Sequence, residues 1–262
     1  MKQDQTVLRV SGLHKRFADH PVLKGISFEV KSGEVVVIMG ASGSGKTTLI
    51  RSLNFLEMPD SGSVSVCDIE VECDPSFGGK LDRCPRALRN RMAQIRRSTA
   101  MVFQSFNLFP HMTALENVME GPVSVKGLPR AQAKERALAL LERVGLQDRA
   151  HAWPRQLSGG QKQRVAVARG LAMEPKVIFF DEPTSALDPE LRDEVLCVMK
   201  ELAEAGMTML IVTHELRFAR DVADRIIFME GGQVLNDCPA PQFFAETNTD
   251  LRTRRFLGKL AV

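Results

Sequence analysis

Residues 40–47 read Gly-Ala-Ser-Gly-Ser-Gly-Lys-Thr, between the apolar run Val35–Met39 and Thr48-Leu49-Ile50, which open a helical pattern. This is GxxxxGK[ST] after a strand and before a helix, the context in which such a loop cradles phosphate. Gly40, Gly43 and Gly45 free the backbone to curl, so that N–H groups from Ala41, Ser42, Ser44 and Thr48 can face phosphate oxygens. The helix N-terminus adds its dipole. Lys46 is the residue to neutralise charge on the β- and γ-phosphates, and the Thr47 hydroxyl the one to sit on Mg²⁺. A second apolar run ends in two carboxylates, Phe179-Phe180-Asp181-Glu182-Pro183. Side chains alternate along a strand, so adjacent acids at its end serve different targets. Asp181 suits Mg²⁺, directly or through water, and Glu182 suits an attacking water, as general base or orienting group. Gln104 follows Met101-Val102-Phe103, and its amide oxygen is a candidate for Mg²⁺ or that water. His214 follows the run Met209–Val212 and Thr213, at a strand end where parallel folds place their sites, and is assigned to the γ-phosphate.

The elements that must hold these groups are legible as well. Continuous apolar runs at 35–39, 177–180 and 209–212 suit strands buried on both faces of a parallel sheet. Helical stretches lie between them, so the core is α/β. Ile26, Phe28 and Val30 alternate with polar residues, as in a half-buried strand. Thr113 and Glu116 make a capping-box pattern opening a helix that Gly121-Pro122 is expected to close. A second helix follows Pro129, with Ala137, Leu141 and Val144 on one face and Gly145 as its C-cap. Residues 106–170 therefore form a helical insertion. At 157–161 the chain reads Leu-Ser-Gly-Gly-Gln before a helical run, an expensive placement for two glycines unless bare backbone is needed there.

The totals exclude several classes. A chain of 262 residues with 44% apolar and 26% charged content suits one large domain with its own core. A net charge of +3 gives no general attraction to nucleic acid or an anionic membrane. No apolar run approaches the ~18 residues of a membrane span, and the N-terminus lacks the apolar core of a signal peptide. The five cysteines (Cys67, Cys73, Cys84, Cys197, Cys238) contain no CxxC pair and read as reduced thiols of a cytosolic protein.

The phosphate loop, Gln104, LSGGQ at 157–161, FFDEP at 179–183, SALD at 185–188 and His214 stand in the order and spacing of ABC transporter ATPases, and the chain resembles that family from about residue 6 to 257. The resemblance implies one ATPase domain over 1–262. Residues 1–105 and 171–262 would be a P-loop core of mainly parallel sheet with an N-terminal antiparallel β-subdomain, and 106–170 the helical subdomain. It also implies ATP and Mg²⁺ as cofactors, with catalytic roles for Glu182, His214, Gln104 and Lys46, and Mg²⁺ held by Thr47, Gln104 and Asp181. A head-to-tail dimer would form, in which Ser158, Gly159, Gly160 and Gln161 of one subunit cover the ATP held by the other's phosphate loop. That use of exposed N–H groups would account for the glycine pair, whereas Ser158 could otherwise be a simple helix cap. Asp188 would lie at the subunit interface. Phe17 stands where the family has an aromatic ring stacking on adenine, a task for the ring rather than a hydroxyl.

Residues 103–113 (FQSFNLFPHMT), the following ALENVMEGPV and the ending Arg252–Leu257 resemble the polar amino acid uptake branch, which imports histidine, glutamine, cystine and similar solutes. That implies a homodimer, or a heterodimer with a second ATPase subunit, peripheral to the cytoplasmic face of the inner membrane. Its partners would be transmembrane permease subunits and, indirectly, an extracytoplasmic solute-binding protein. The alternatives are an exporter or lipoprotein-release ATPase, or a soluble ABC ATPase acting on nucleic acid. The last usually carries a coiled coil or a second cassette, for which this chain has no room. Residues 67–97 depart from many relatives in length and carry three cysteines and a run of arginines. Leu88, Met92 and Ile95 share one helical face there, so the arginines read as a solvated face, with no nucleic acid partner expected.

Overall fold

The computed structural model describes residues 5–245 and 251–260; the ends of the 1–262 span and the stretch 246–250 lie outside them. In chain order the elements are β1 (Thr6–Phe17), β2 (His20–Lys31), β3 (Val35–Gly40), α1 (Lys46–Leu53), β4 (Ser61–Val66) and β5 (Ile69–Cys73). Next come α2 (Arg86–Ser98), β6 (Thr99–Phe103), α3 (Ala114–Ser124), α4 (Arg130–Arg143), α5 (Gly159–Ala172) and β7 (Val177–Asp181). The chain continues with α6 (Pro189–Glu204), β8 (Met209–Val212), α7 (Leu216–Val222), β9 (Arg225–Glu230), β10 (Gln233–Pro239), α8 (Ala240–Phe243) and α9 (Leu251–Leu260).

Two sheets organise these elements. The larger runs β10-β9-β3-β8-β7-β6, parallel except for the β9–β10 pair. The smaller is antiparallel, β2-β1-β4-β5. Strand β3 is wholly buried, and its alternation divides the interior in two. Val35, Val37 and Met39 point into a core shared with α3 to α6, while Val36 and Ile38 point into one shared with α1, α2 and the antiparallel sheet. That is why its sequence is apolar without interruption. Ile26, Phe28 and Val30 of β2 are buried in the second core, and their neighbours in sequence are exposed.

Helices α3, α4 and α5 pack on one another, and α5 packs on β6. Thr113 caps α3 with a complete capping box, its Oγ1 accepting from the Glu116 N–H while Glu116 Oε2 accepts from the Thr113 N–H. The expected stop at Gly121-Pro122 is not where α3 ends. The helix runs on to Ser124 with Pro122 inside it. Proline has no N–H to donate to the carbonyl one turn back, so the helix forgoes that bond without ending, and the carbonyls of Gly121 and Pro122 are taken up by the N–H groups of Val125 and Leu128. Gly121 serves packing instead, because a Cβ there would stand 2.6 Å from Met173 Sδ. Helix α4 ends as expected, with Gly145 at φ 67 and its N–H donating to the Glu142 carbonyl.

The segment 67–97 supplies β5 and α2. Met92 and Ile95 are fully buried, and Arg86, Arg89, Arg91 and Arg97 are exposed, a solvated basic face over one apolar stripe. Arg96 is different. Its guanidinium donates to the carbonyls of Asn54 and Phe55 at 3.0 and 2.8 Å and so fixes the exit of α1. Burial raises the thiol pKa of Cys73 to about 12, which keeps it protonated and inert.

Candidate nucleotide site

Register places the site. Ile38 of β3 and Asp181 of β7 both pair with Val212 of β8, and Asp181 pairs with Phe103 of β6. Four parallel strands therefore end at one level. The residues just beyond them, Gly40 to Thr47, Glu182, Thr213 to His214 and Gln104, emerge along a single edge, where open α/β sheets hold their ligands.

The loop from Gly40 to Gly45 needs its glycines for different reasons. A Cβ on Gly40 would stand 2.0 Å from the Met229 carbonyl oxygen, so the loop could not close on β9. Gly43, at φ 77, would point a Cβ into open space. That space is a cleft of about 450 Å³ bordered by Phe17, Ser42, Gly43, Lys46, Thr47 and Glu182. Gly45, at φ 97, is the N-cap of α1, so the helix N-terminus opens beside the cleft. Ser44 Oγ is buried and has no hydrogen-bond partner among the described residues. An orphaned hydroxyl among bare N–H groups and a lysine suits phosphate oxygens. Phe17 is 45% exposed at the end of β1, which rules out a core role and leaves a ring face for a base. Lys15 Nζ lies 5.1 Å from its centroid.

Lys46 is almost fully buried, and its Nζ donates to the carbonyls of Gly40 and Ala41 at 2.9 and 3.0 Å. Burial lowers its pKa, and the nearby Glu182 and Asp181 carboxylates oppose that shift. Asp181 is 2% exposed and accepts from Thr47 Oγ1 at 3.0 Å and from Arg51 Nε at 3.1 Å. A hydroxyl and a carboxylate already in contact are hard oxygen donors of the kind that suits Mg²⁺. Arg51 is a member of the site that sequence reasoning missed. Its signal is the i, i+4 offset from Thr47 on α1, which puts both side chains on the helix face toward β7.

Glu182 leaves β7 with φ 47, a conformation that non-glycine residues seldom adopt. Two bonds hold it there: its N–H donates to the Val212 carbonyl at 3.0 Å, and Ser185 Oγ donates to the Glu182 carbonyl at 3.0 Å. Its carboxylate lies 3.3 Å from His214 Nε2. Gln104 is exposed just past β6. Ser158 and Gln161 are coupled in a capping box, Ser158 Oγ accepting from the Gln161 N–H and Gln161 Oε1 from the Ser158 N–H. Gly159 and Gly160 have a packing reason within this chain. A Cβ on the first would stand 2.8 Å from Leu187 Cδ2, and on the second 3.1 Å from the Leu191 carbonyl oxygen. Asp188 stands at the N-cap position of α6, makes no capping bond with its side chain, and is exposed. Ser158 to Gln161 and Asp188 do not border the phosphate-loop cleft of their own chain.

A family model described as ABC transporter matches residues 23–185. This chain belongs to the ABC transporter family. It is 52% identical over 254 residues, 97% of this chain and 98% of that protein, to the L-cystine transport system ATP-binding protein TcyN of Escherichia coli (strain K12). It is 49% identical over 248 residues, 95% of this chain and 96% of the relative, to the glutamine transport ATP-binding protein GlnQ of Geobacillus stearothermophilus. Among solved structures it resembles the dimeric post-hydrolysis state of the ATP-binding cassette MJ0796 bound to ADP and Pi. The TM-score is 0.74 and the identity 33%, covering 89% of this chain and 98% of that one. The cassette described above is thus an ATPase, with ATP and Mg²⁺ as its ligands. Among the described residues no helix is long and apolar enough to cross a membrane.

Proposed function

We propose that this cassette is the ATP-hydrolysing subunit of a polar amino acid importer, working as a head-to-tail dimer on the cytoplasmic face of the inner membrane. Its partners are transmembrane permease subunits, supplied by an extracytoplasmic solute-binding protein, and its twin is a second copy or a related ATPase. Residues 1–105 and 171–262 act as the nucleotide-binding core with its antiparallel β-subdomain, and 106–170 as the helical subdomain. The likeness near 50% to cystine and glutamine transport ATP-binding proteins, over nearly the whole chain, supports the substrate class.

The chemistry follows from the strand ends. Backbone N–H groups from Gly40 to Thr48 take the phosphates, while Lys46 leaves the carbonyls of its own loop for the β- and γ-phosphate oxygens. Phe17 stacks on the adenine. Thr47, Asp181 and Gln104 are the oxygen donors for Mg²⁺. When bound, the metal draws charge from the phosphates. Glu182 orients water in line with the γ-phosphorus and takes its proton, and His214 holds the γ-phosphate. Ser158, Gly159, Gly160 and Gln161 complete the partner's site, and Asp188 links the two sites. ATP closes the dimer because it binds the closed state better than the open one. The observation that carries this chemistry is the Thr47–Asp181 contact of 3.0 Å beside a helix N-terminus and a buried lysine.

Reconstitution with transmembrane permease subunits that co-purify with it tests the proposal. Vesicles should take up labelled cystine, glutamine or histidine only with ATP and Mg²⁺, and Lys46→Ala should abolish both uptake and ATP affinity. Hydrolysis without uptake of any amino acid would overturn the substrate class. An unchanged dissociation constant for ATP in Lys46→Ala would overturn the phosphate-loop assignment.

A further inference from the structure

Helix α5 does more than present its N-terminus. Gln163, fully buried, donates Nε2 to the Phe103 carbonyl at 3.1 Å, immediately before Gln104. Its Oε1 is buried without a partner among the described residues. Further along the helix, Arg169 donates to the carbonyls of Asn107 and Phe106 at 2.6 and 3.2 Å, and its guanidinium lies 5.8 Å from the centroid of the Phe109 ring. The loop gripped this way is bent sharply, with Phe106 and Asn107 both left-handed at φ 59 and 49. Two consecutive non-glycine residues stay in that region only when the surroundings over-determine them. Asn117 of α3 closes the other side, accepting from the Phe109 N–H at 2.8 Å and donating to its carbonyl at 3.1 Å.

Gln104 therefore lies between two anchor points, both tied to the helix whose first turn is the LSGGQ segment. We propose that Gln163 and Arg169 are positioning residues that lock the Gln104 loop to α5, so that the helix and the amide serving Mg²⁺ and water move as one piece. The bonds make independent motion costly. If α5 shifted and the loop stayed, three carbonyls would lose charged or amide donors, those of Phe103 and Phe106 in partly buried surroundings. Arg169 is suited to the task because its planar fork turns two separate nitrogens, Nη1 and Nη2, to two successive carbonyls in a fixed geometry. When α5 is drawn onto a partner's phosphate, Gln104 is carried with it, and a half-closed dimer keeps its water unoriented.

The inference rests on the proposed dimer, and a double-mutant cycle in the full chain tests it separately. Arg169→Ala and the near-isosteric Gln163→Met should each leave the dissociation constant for ATP within about twofold while lowering kcat about tenfold. In a Gln104→Ala background the same substitutions should cost less than about twofold more, because their effect passes through Gln104. Amide hydrogen exchange over residues 104–109 should rise in both variants. If Arg169→Ala does not fold, Gln163→Met carries the test, since it removes no packing volume of consequence and relieves a buried unpaired oxygen. Equal losses in both backgrounds, an unchanged kcat, or unchanged exchange over 104–109 would overturn the lock. With ATP affinity still lost in Lys46→Ala, such a result would leave the proposed function standing.

Discussion

His214 Nε2 stands 3.3 Å from Glu182 Oε1, each side chain rising just beyond the end of its own strand, β8 for one and β7 for the other. The Glu182 carboxyl titrates below its ordinary range, chiefly through the hydrogen bond with His214. Burial opposes the shift, and the charges of His214 and Lys46 assist it. The shift is downward, so its contribution to stability is present above the ordinary glutamate value and is lost as pH falls through the folded one. Removing His214 leaves burial less opposed, and the Glu182 value rises. Isotope-edited infrared spectra of the carboxylate, with Glu182→Gln as the blank, should show protonation at higher pH in His214→Ala than in the parent. No upward move would remove the coupling between the pair.

Glu182→Gln separates shape from charge. Glutamine fills the same volume and accepts the same left-handed backbone, which two backbone bonds already hold. It cannot take a proton, so kcat should fall by about 10²-fold or more. ATP binding should persist. Size-exclusion chromatography with ATP and Mg²⁺ should then show a stable dimer absent from the parent under turnover, and substantial residual turnover would take Glu182 out of its role.

Gly159 distinguishes packing from phosphate contact. The atom in the way of a Cβ is Leu187 Cδ2, the far end of a side chain that can change rotamer. Alanine also loses less backbone entropy than glycine on ordering, which offsets part of the adjustment. Gly159→Ala should melt within a few degrees of the parent and bind ATP as before, yet lose ATP-driven dimerisation, because the first turn of α5, no longer bare, closes less tightly on the partner's phosphate. Parental turnover would leave this glycine with a packing role alone.

What the sequence made legible follows from covalent neighbourhood and strand period. Gly40 to Thr47, Asp181 with Glu182, Gln104 and His214 each sit directly after an apolar run, and a parallel sheet brings the ends of such runs to one edge. Contacts that cross between elements were not legible. Arg51 reaching Asp181, Arg96 tying α2 to the end of α1, and Arg169 bridging two carbonyls are all arginines that, in sequence, look like solvated charge. The left-handed backbone at Glu182 was also hidden, since local propensity gives no reason for it and the bonds to the Val212 carbonyl and from Ser185 Oγ enforce it. Pro122 misled because a proline removes one bond of a helix without having to end it: the turn that holds it runs on to Ser124, and its own carbonyl is taken up by the Leu128 N–H.

Complementation between protomers decides whether the two halves of the site come from different subunits. In one chain the capping box of Ser158 and Gln161 opens α5 away from the phosphate-loop cleft, which none of residues 158–161 borders. Ser158→Arg places bulk and like charge where a partner's Lys46 site would close, and Lys46→Ala removes the phosphate grip. Each homodimer should then be inactive. Mixed, a heterodimer retains one intact pairing, the unaltered Lys46 of the first protomer facing the unaltered Ser158 of the second. At equal amounts half of the dimers are mixed, each with one of two sites working, so about a quarter of parental turnover should return if the sites act independently. Turnover at the level of the separate variants, with mixed dimers demonstrated by differential tags, would mean that each chain completes its own site.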